Sequence, residues 1–306
     1  VFNSTGLKKI EASEVNIGDY IPVVKNLSLS NTLTKLDLFS LCKSLNPNLI
    51  LNKNQFRIKH TRCYLPNEIN INAFLGRVLG YYSAEGSSTK EGKSPRVVFS
   101  FGKHELSLVN ELVDLIKNIF KISPAVCYEK TSIKVYLYGK IFPILFEDIF
   151  FAGNNSYNKK VPKIILNSNQ DIISNYLDAY FLGDGTFNQN SNDCLSLEVV
   201  CTSTSRDLIY DVHYLLLLLS INTNIYFSDK KKAFILRIQG GSNIIQFIEK
   251  AGSGVRLRNL KHLASQIYKP MSEKYPSFFF NVEKANIWEE KSIIKSAIKR
   301  AGKIGV

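Results

Sequence analysis

The chain has 306 residues, 45% of them hydrophobic, so it can bury a sizeable core and is not a disordered chain. Five cysteines without a CxxC pair indicate neither a zinc ribbon nor a disulfide framework. The longest fully apolar run, residues 215–219, is too short to cross a bilayer. We therefore expect a soluble intracellular protein of the cytoplasm, nucleoid or an organelle, neither secreted nor bound to a membrane.

The formal net charge of +13 indicates a polyanionic partner such as nucleic acid. The surplus is uneven along the chain. Residues 221–306 hold 16 Lys/Arg against 6 Asp/Glu, whereas residues 169–220 hold 1 Arg against 7 Asp/Glu. This distribution predicts a basic surface rather than uniform decoration.

An N-terminal region, residues 1–70, precedes the first strong pattern. Its stretch 26–70 is rich in Asn and Leu and carries several basic residues, and the sequence assigns it no role. These basic residues are Lys53, Arg57, Lys59, His60 and Arg62.

The first unit, residues 71–168, opens with AFLGRVLGYYSAEGS, an apolar and small-residue helix that ends at Glu85 and Gly86. Apolar residues at a spacing of three to four predict further helices, and β-branched and aromatic runs predict strands. After the motif helix we expect the strand RVVFSF, the helix HELSLVNELVDLIKNIF, a hairpin of PAVCYEK and SIKVYLYG, and the helix KIFPILFEDIF.

The second unit, residues 169–265, repeats this order. Its motif helix, SNYLDAYFLGDGTF, ends at Asp184 and Gly185, and 184 − 85 = 99 positions separate the two acids. The strand LSLEVVCTS, the helix RDLIYDVHYLLLLLSI, the hairpin of NIYFSDKK and AFILRIQG, and the helix SNIIQFIEKAG follow. The fold class predicted is α+β, with two pseudo-symmetric αββαββα repeats, paired central helices and antiparallel, saddle-shaped sheets.

The tail comprises residues 266–306. Its last stretch, EEKSIIKSAIKRAGKIGV, begins with acidic residues and ends with basic ones, the order that the helix dipole favours. Two interpretations stay equally open: a DNA-contacting helix, or the remnant of a splicing or helix-turn-helix module.

The two motif acids point to a cation. An acid at a helix C-terminus opposes the helix dipole, so neither is placed there for stability. The small residues Gly76, Gly80 and Gly183 allow the two helices to pack closely, which would bring Glu85 and Asp184 side by side. Two adjacent carboxylates repel unless a cation lies between them, and Mg²⁺ prefers oxygen ligands. In a basic protein this indicates phosphodiester hydrolysis on nucleic acid.

LGYYSAEGS and LDAYFLGDGTF, with the matching elements after each, resemble the LAGLIDADG (dodecapeptide, DOD-type) homing endonucleases, in particular the two-repeat, single-chain, intein-type members. The resemblance implies a monomer that cuts double-stranded DNA at a long asymmetric site. It implies Mg²⁺, or another divalent cation such as Mn²⁺, held by Glu85 and Asp184 as metal ligands and catalytic residues.

The family resemblance also implies a basic residue where the second strand meets the next helix. Lys103 occupies this position in the first unit and is predicted to be catalytic, whereas the matching position in the second unit is Ser203. We therefore expect unequal cleavage of the two strands. Asp178, also on the second motif helix, is interpreted as helix-flank polarity rather than a metal ligand.

The same resemblance places DNA contacts on the strands and turns of both sheets. Arg and Lys favour guanine and phosphate, and Asn and Gln suit adenine. The predicted DNA-binding residues are Ser87, Ser88, Lys90, Lys93, Arg96, Lys130, Lys134, Asn188, Gln189, Asn190, Lys230, Lys231, Lys232 and Arg237.

A further stretch, IEASEVNIGDYIPVVK at residues 10–25, is similar to an intein splicing-domain segment. Because residue 1 is Val1 and the sequence ends KIGV without a His-Asn pair, we expect no self-splicing from the sequence as given. A β-hairpin with a Gly-Asp turn explains the segment equally well.

Other functions are weighed against the endonuclease. A catalytically weak or inactive LAGLIDADG protein would act as an RNA maturase on intron RNA or as a DNA-binding regulator. A glycosidase with paired carboxylates fits poorly, because it explains neither the basic charge nor the small-residue helices.

Overall fold

The computed structural model describes residues 2–3, 6–7, 11–14, 33–92, 94–189, 197–239 and 241–251. Most of the intein-like segment 10–25 lies outside the described residues, as do Lys93, Asn190 and the tail 266–306. None of the described helices is both long and apolar enough to span a membrane.

The N-terminal region is a small β-rich layer. Its described part contains two short strand pairs, a three-stranded sheet in the order β4-β5-β6, and one helix that Asp37 caps by accepting from Ser40 N at 2.9 Å. Phe56 is fully buried and packs edge-on against Phe39. The elements are β1 (Phe2–Asn3), β2 (Gly6–Leu7), a 3-10 turn (Ala12–Glu14), β3 (Lys35–Asp37), α1 (Leu38–Leu45), β4 (Leu49–Asn52), β5 (Gln55–Ile58), β6 (Leu65–Pro66) and β7 (Glu68–Asn70).

The first unit is a four-stranded antiparallel sheet in the order β10-β11-β9-β8, with helices on one face. Helix α3 buries an apolar stripe against it, and each fully buried Leu contributes about 1.5–3 kcal/mol. The elements are α2 (Ala73–Glu85), β8 (Gly86–Thr89), β9 (Arg96–Gly102), a 3-10 turn (Lys103–Glu105), α3 (Leu106–Phe120), β10 (Ala125–Tyr128), β11 (Ser132–Tyr138), α4 (Ile141–Pro143), a π-helical turn (Ile144–Ile149) and α5 (Lys163–Leu166).

The second unit repeats this arrangement with the sheet order β12-β13-β15-β14, again antiparallel. In both sheets the strands run first, second, fourth, third in unit order. The predicted α+β class, the hairpins and the antiparallel sheets are therefore confirmed. The elements are α6 (Gln170–Asp184), β12 (Gly185–Gln189), β13 (Leu197–Ser203), α7 (Arg206–Leu218), β14 (Asn224–Ser228), β15 (Ala233–Gln239) and α8 (Gly241–Ala251).

Helices α2 and α6 lie at the centre of the described fold. Each is buried on nearly every side, since each packs against the other and against its own sheet and helices. The two units therefore share one continuous core, and the central helices form the interface between them.

Candidate metal and nucleic-acid site

Three glycines let α2 and α6 approach backbone to backbone. A Cβ atom on Gly80 would lie 2.3 Å from the carbonyl oxygen of Tyr176, and one on Gly76 would lie 2.8 Å from that of Ile172. Near the other end, a Cβ on Gly183 would lie 2.7 Å from the Cβ of Ala84. Real Cβ atoms do not come this close, so larger residues would force the helices apart.

The close packing brings the two motif acids together. Glu85 is the last residue of α2 and Asp184 the last of α6, at the same end of the pair. A Cβ on Gly183 would lie 3.1 Å from Glu85 Oε1, so the Glu85 carboxylate lies against the backbone just before Asp184. The glycine after each acid is also required, because a Cβ on Gly86 or Gly185 would overlap the preceding helical turn.

The negative charge of the two carboxylates is only partly compensated by the protein. Burial, then the charge of Asp184 and that of Glu105, raise the pKa of Glu85 to about 7. Burial raises the pKa of Asp184 to about 6, with Lys159 opposing the shift. Excess negative charge of this kind is what a hard cation with oxygen ligands would relieve.

Among the residues that the structure describes, Lys159 is the cation that acts on both acids, and sequence reasoning missed it. The residue is 7% exposed, and its Nζ donates to the carbonyl oxygen of Ala84 at 3.0 Å. Burial lowers the pKa of Lys159, and the charges of Asp184 and Glu85 oppose that effect. The only available signal was the lysine pair before Pro162 between the units, which looks like ordinary surface charge.

Lys103 lies in the exposed 3-10 turn between β9 and α3. Within the described residues no ion pair joins Lys103 to either motif acid, whereas the charge of Glu105 in the same turn contributes to the raised pKa of Glu85. The sheet registers also change the predicted correspondence. In the first sheet Gly86 pairs with Phe99, and Lys103 lies four residues after Phe99 (99 + 4). In the second sheet Gly185 pairs with Cys201, and Ser205 lies four residues after Cys201 (201 + 4). Ser205, rather than Ser203, therefore matches Lys103.

Asp178 is not a residue of a polar helix flank. It is 4% exposed and forms an ion pair with Arg77 NH1 at 2.5 Å, across the α2–α6 interface. Arg77 also pairs with Glu111 on α3, and Glu111 accepts from Tyr81 OH at 2.7 Å. A buried carboxylate needs such a partner, so Asp178 belongs to the contact between the units.

The outer face of the first sheet, away from the helices, holds three of the predicted DNA-binding residues: Ser87, Arg96 and Lys134. Their partners across the strands, Val98, Tyr138 and Ser100, lie on the same face, while Val97, Phe99 and Phe101 point to the core. Two outer-face tyrosines, Tyr136 and Tyr138, stack at 5.2 Å between ring centroids. The guanidinium of Arg96 lies 6.0 Å from the ring of Tyr136. The alternation in SIKVYLYG was the signal for these tyrosines.

Other predicted contacts of the first unit lie elsewhere. The Ser88 hydroxyl points to the helix side and donates to Glu147. Lys90, just after β8, pairs with Asp148 at 2.5 Å and Glu147 at 3.2 Å. Lys130 is exposed in the turn between β10 and β11.

The outer face of the second sheet is closer to neutral. Arg237 lies 3.5 Å from Glu198 and 4.9 Å from the ring of Tyr226, and Gln239 donates to Glu198 at 3.2 Å. The exposed turn between β14 and β15 carries Lys230, Lys231 and Lys232, of which Lys232 lies 3.8 Å from Asp229. Asn188 and Gln189 lie in β12, where their backbones pair with Glu198 and Leu197.

A family model described as a LAGLIDADG-like domain matches residues 171–252. That span runs from the first turn of α6 to one residue beyond α8. The second unit is therefore similar to a LAGLIDADG-like domain. The first unit has the same order of strands and the same sheet order as the second.

Curated proteins similar to the chain include an uncharacterized protein of Methanocaldococcus jannaschii, 29% identical over 257 residues, with 78% of this chain and 27% of the relative covered. The DNA polymerase II large subunit of Thermococcus kodakarensis is 30% identical over 141 residues, covering 46% and 7%. The replication factor C small subunit of M. jannaschii is 25% identical over 237 residues, covering 74% and 12%. The chain thus spans about a quarter or less of the length of these relatives.

Similar solved structures include I-DmoI in complex with DNA and Mn, at 15% identity and a TM-score of 0.46, covering 60% of this chain and 99% of that chain. Full-length DUF199/WhiA from Thermatoga maritima has 17% identity and a TM-score of 0.42, covering 76% and 69%.

Proposed function

We propose that the chain is a site-specific, double-strand DNA endonuclease of the homing type, which hydrolyses phosphodiesters with Mg²⁺ or a similar divalent cation such as Mn²⁺. One observation carries the proposal: Glu85 and Asp184 end two close-packed helices at the same place, beside Lys159. Packing alone gives no reason to concentrate two carboxylates there, since both face a desolvation penalty and each other.

The residues fit a hard divalent cation. Glu85 and Asp184 would hold it through carboxylate oxygens, the ligands that Mg²⁺ prefers. No group of three or more His, Cys, Asp or Glu side chains suited to a metal occurs in the described part of the chain. Water and the phosphate oxygens of the substrate would therefore complete the coordination, as is usual for Mg²⁺.

When bound, the cation supplies Lewis-acid stabilisation of the phosphate and activates water. The chain's own contribution is positioning and charge. Lys159 places an ammonium group beside both acids, where it would stabilise negative charge that develops on the phosphate. Lys103, exposed at the start of the helix after β9, is proposed as a second catalytic cation that reaches the DNA backbone.

We assign the DNA to the outer faces of the two sheets. On the first sheet Ser87, Arg96 and Lys134 would contact bases and phosphates, and Arg96 is suited to guanine. On the second sheet Arg237 is the main candidate. The remaining proposed contacts are Ser88, Lys90, Lys93, Lys130, Asn188, Gln189, Asn190, Lys230, Lys231 and Lys232.

The relatives support an element inserted in larger proteins, as the intein-type resemblance implies. The chain matches a small part of each of several larger proteins with unrelated names, among them a DNA polymerase subunit and a replication factor C subunit. Insertion of a mobile element into different host proteins would explain why similar sequences occur within proteins of unrelated function. The asymmetric target and the monomeric state belong to this proposal.

The test is selection of cleaved sites from a randomised DNA library in Mg²⁺. We expect Glu85→Gln and Asp184→Asn to bind the selected site but to cut it slower by about 100-fold or more, the scale of losing one group that stabilises the transition state. The exposed carboxylates Glu91 and Asp114 provide matched controls, and Glu91→Gln and Asp114→Asn should cut normally.

A wild-type protein that binds DNA but never cuts any sequence, in Mg²⁺ or Mn²⁺, would overturn the endonuclease. Preferential binding of a structured intron RNA would then favour the maturase, and binding of DNA without cleavage the regulator.

A further inference from the structure

Residues 150–162 lie near the end of the first unit and lead towards the second, and they contain only turns and irregular backbone. This joining segment places Lys159 beside the motif acids. Its backbone is bonded to both units in turn. On the first unit, Tyr82 OH donates to the carbonyl oxygen of Gly153 at 2.6 Å, and the backbone N of Ser88 donates to that of Asn154 at 3.0 Å.

The second unit holds the rest of this joining segment. Thr204 Oγ1 donates to the carbonyl oxygen of Ser156 at 2.7 Å, and Ser205 Oγ donates to that of Lys159 at 2.6 Å. Asp211 accepts from Val161 N at 3.3 Å. The Lys159 side chain then reaches back to Ala84 of the first unit. Its position thus depends on both units.

Ser205 holds the backbone of the lysine itself. The serine is 1% exposed, and its hydroxyl has two roles, because it also accepts from Leu208 N at 3.3 Å as the N-cap of α7. One hydroxyl therefore ties the start of a helix in the second unit to the Lys159 carbonyl. Ser205 also matches Lys103 of the first unit by sheet register.

We propose that Ser205 is a positioning residue, which fixes the Lys159 backbone so that the ammonium group lies beside Glu85 and Asp184. This inference rests on the proposed endonuclease function. The physical reason is reach: a lysine has a long, flexible side chain, so its Nζ is only as well placed as its backbone. Misplacing a catalytic group by about 1 Å can cost about 100-fold in rate.

The experiment compares Ser205→Ala, which loses both hydrogen bonds, with Ser205→Thr, which keeps a hydroxyl. DNA affinity and the single-turnover cleavage rate are measured separately on the full chain. Ser205→Ala should cut slower by about 10- to 100-fold with DNA affinity within about twofold. Ser205→Thr should recover most of the rate.

A control separates positioning from loss of a helix cap. Asp37→Ala removes the N-cap of α1, in the N-terminal region. It should lower thermal stability, as the loss of a helix cap does, but leave the cleavage rate unchanged. An equal loss of rate in Asp37→Ala would assign the effect to stability and overturn the proposal.

A double-mutant cycle tests whether Ser205 acts through the lysine. In a Lys159→Met background, Ser205→Ala should lower the remaining rate by less than about twofold, since the group being positioned is gone. Fully additive losses would overturn the proposal.

Hydrogen exchange gives a readout that needs neither metal nor cleavage. Ser205→Ala should speed amide exchange in residues 156–161, and Asp37→Ala should not. If the wild type cuts no DNA but Ser205→Ala still loosens this segment, the endonuclease is lost while the anchoring of Lys159 stands. Unchanged exchange would overturn the anchoring in either case.

Discussion

The two units have the same sheet order and the same motif geometry, yet they differ in chemistry. The motif helix of the first unit ends in Glu85, whose pKa is raised in part by the charge of Glu105. The motif helix of the second unit ends in Asp184, and no carboxylate is among the causes of its pKa shift. In the second unit Asp207, two residues after Ser205, pairs instead with Lys160 at 2.8 Å. The two units therefore keep the same backbone topology although the charged side chains at matching positions differ.

The outer faces differ in the same way. That of the first sheet joins Arg96 to a stacked tyrosine pair, whereas that of the second ties Arg237 to Glu198. Since Lys134 of the first sheet also has a partner, Glu129 at 2.8 Å, the difference is one of degree. We expect the two halves of a DNA site to be bound with unequal strength.

The largest effect is expected where the two units meet. Asp178→Leu leaves Arg77 buried with one partner fewer, and should lower the free energy of unfolding by about 3–5 kcal/mol. The double variant Arg77→Leu/Asp178→Leu should recover a large part, because no buried charge of this pair remains. Urea unfolding of the wild type, Arg77→Leu, Asp178→Leu and the double variant measures this, with Lys35→Leu/Glu68→Leu as an exposed ion-pair control. If the double variant is as unstable as the sum of its single changes, the pair does not couple the units.

Next in size is the lysine shared by both acids. If the proposed endonuclease function holds, Lys159→Met should lower the single-turnover cleavage rate by about 100- to 1,000-fold with little change in DNA affinity, because the lost charge would act on the reacting phosphate. The neighbouring, more exposed Lys160 provides the matched control. Comparable losses from Lys160→Met would show that general positive charge matters, rather than the buried position.

The two acids should also titrate in different windows. A carboxyl whose folded pKa is raised holds its proton more tightly in the folded protein, so its contribution to stability falls as pH rises through that window. For Glu85 the window runs from 4.5 to about 7, and for Asp184 from 3.8 to about 6.

Without divalent cations, Glu85→Gln should therefore be more stable than the wild type at pH 8, and this difference in stability should shrink towards pH 4. We expect a gain on the order of 1–2 kcal/mol, since the half-buried carboxylate is partly screened by water. Thermal unfolding in EDTA across this range is the measurement, and Asp184→Asn should show its change at lower pH. Parallel curves for wild type and both variants would contradict the assigned burial.

The smallest effect concerns the outer faces. Arg96→Gln should reduce the slope of log K against log salt by about 0.9, the value for one neutralised phosphate. Arg237→Gln should reduce it less, because Glu198 already offsets part of that charge. DNA binding between 50 and about 200 mM salt tests this. Equal reductions of the salt slope in the two variants would mean that the Arg237–Glu198 ion pair breaks when DNA binds.

Much of the fold was predictable from local pattern. Apolar spacing in HELSLVNELVDLIKNIF and alternation in SIKVYLYG are properties of neighbouring residues, and the structure forms a helix and a strand there. The repeat of small-acid-Gly after 99 positions, with glycines on both helices, led to the pairing of α2 and α6. The two candidate acids can thus be predicted from the sequence without knowledge of their packing.

What the sequence determined by itself is the α+β order of elements, the two motif helices and the two acids, because each depends on contacts within a few turns or on a visible repeat. Only the tertiary structure decided that Lys159 lies at Ala84, 75 positions away, that Asp178 pairs with Arg77, 101 positions away, and that Ser205 rather than Ser203 matches Lys103. The reason is physical, because isolated polar residues add no periodic pattern to the sequence. Their partners are determined by which groups become buried next to them when the two helices pack.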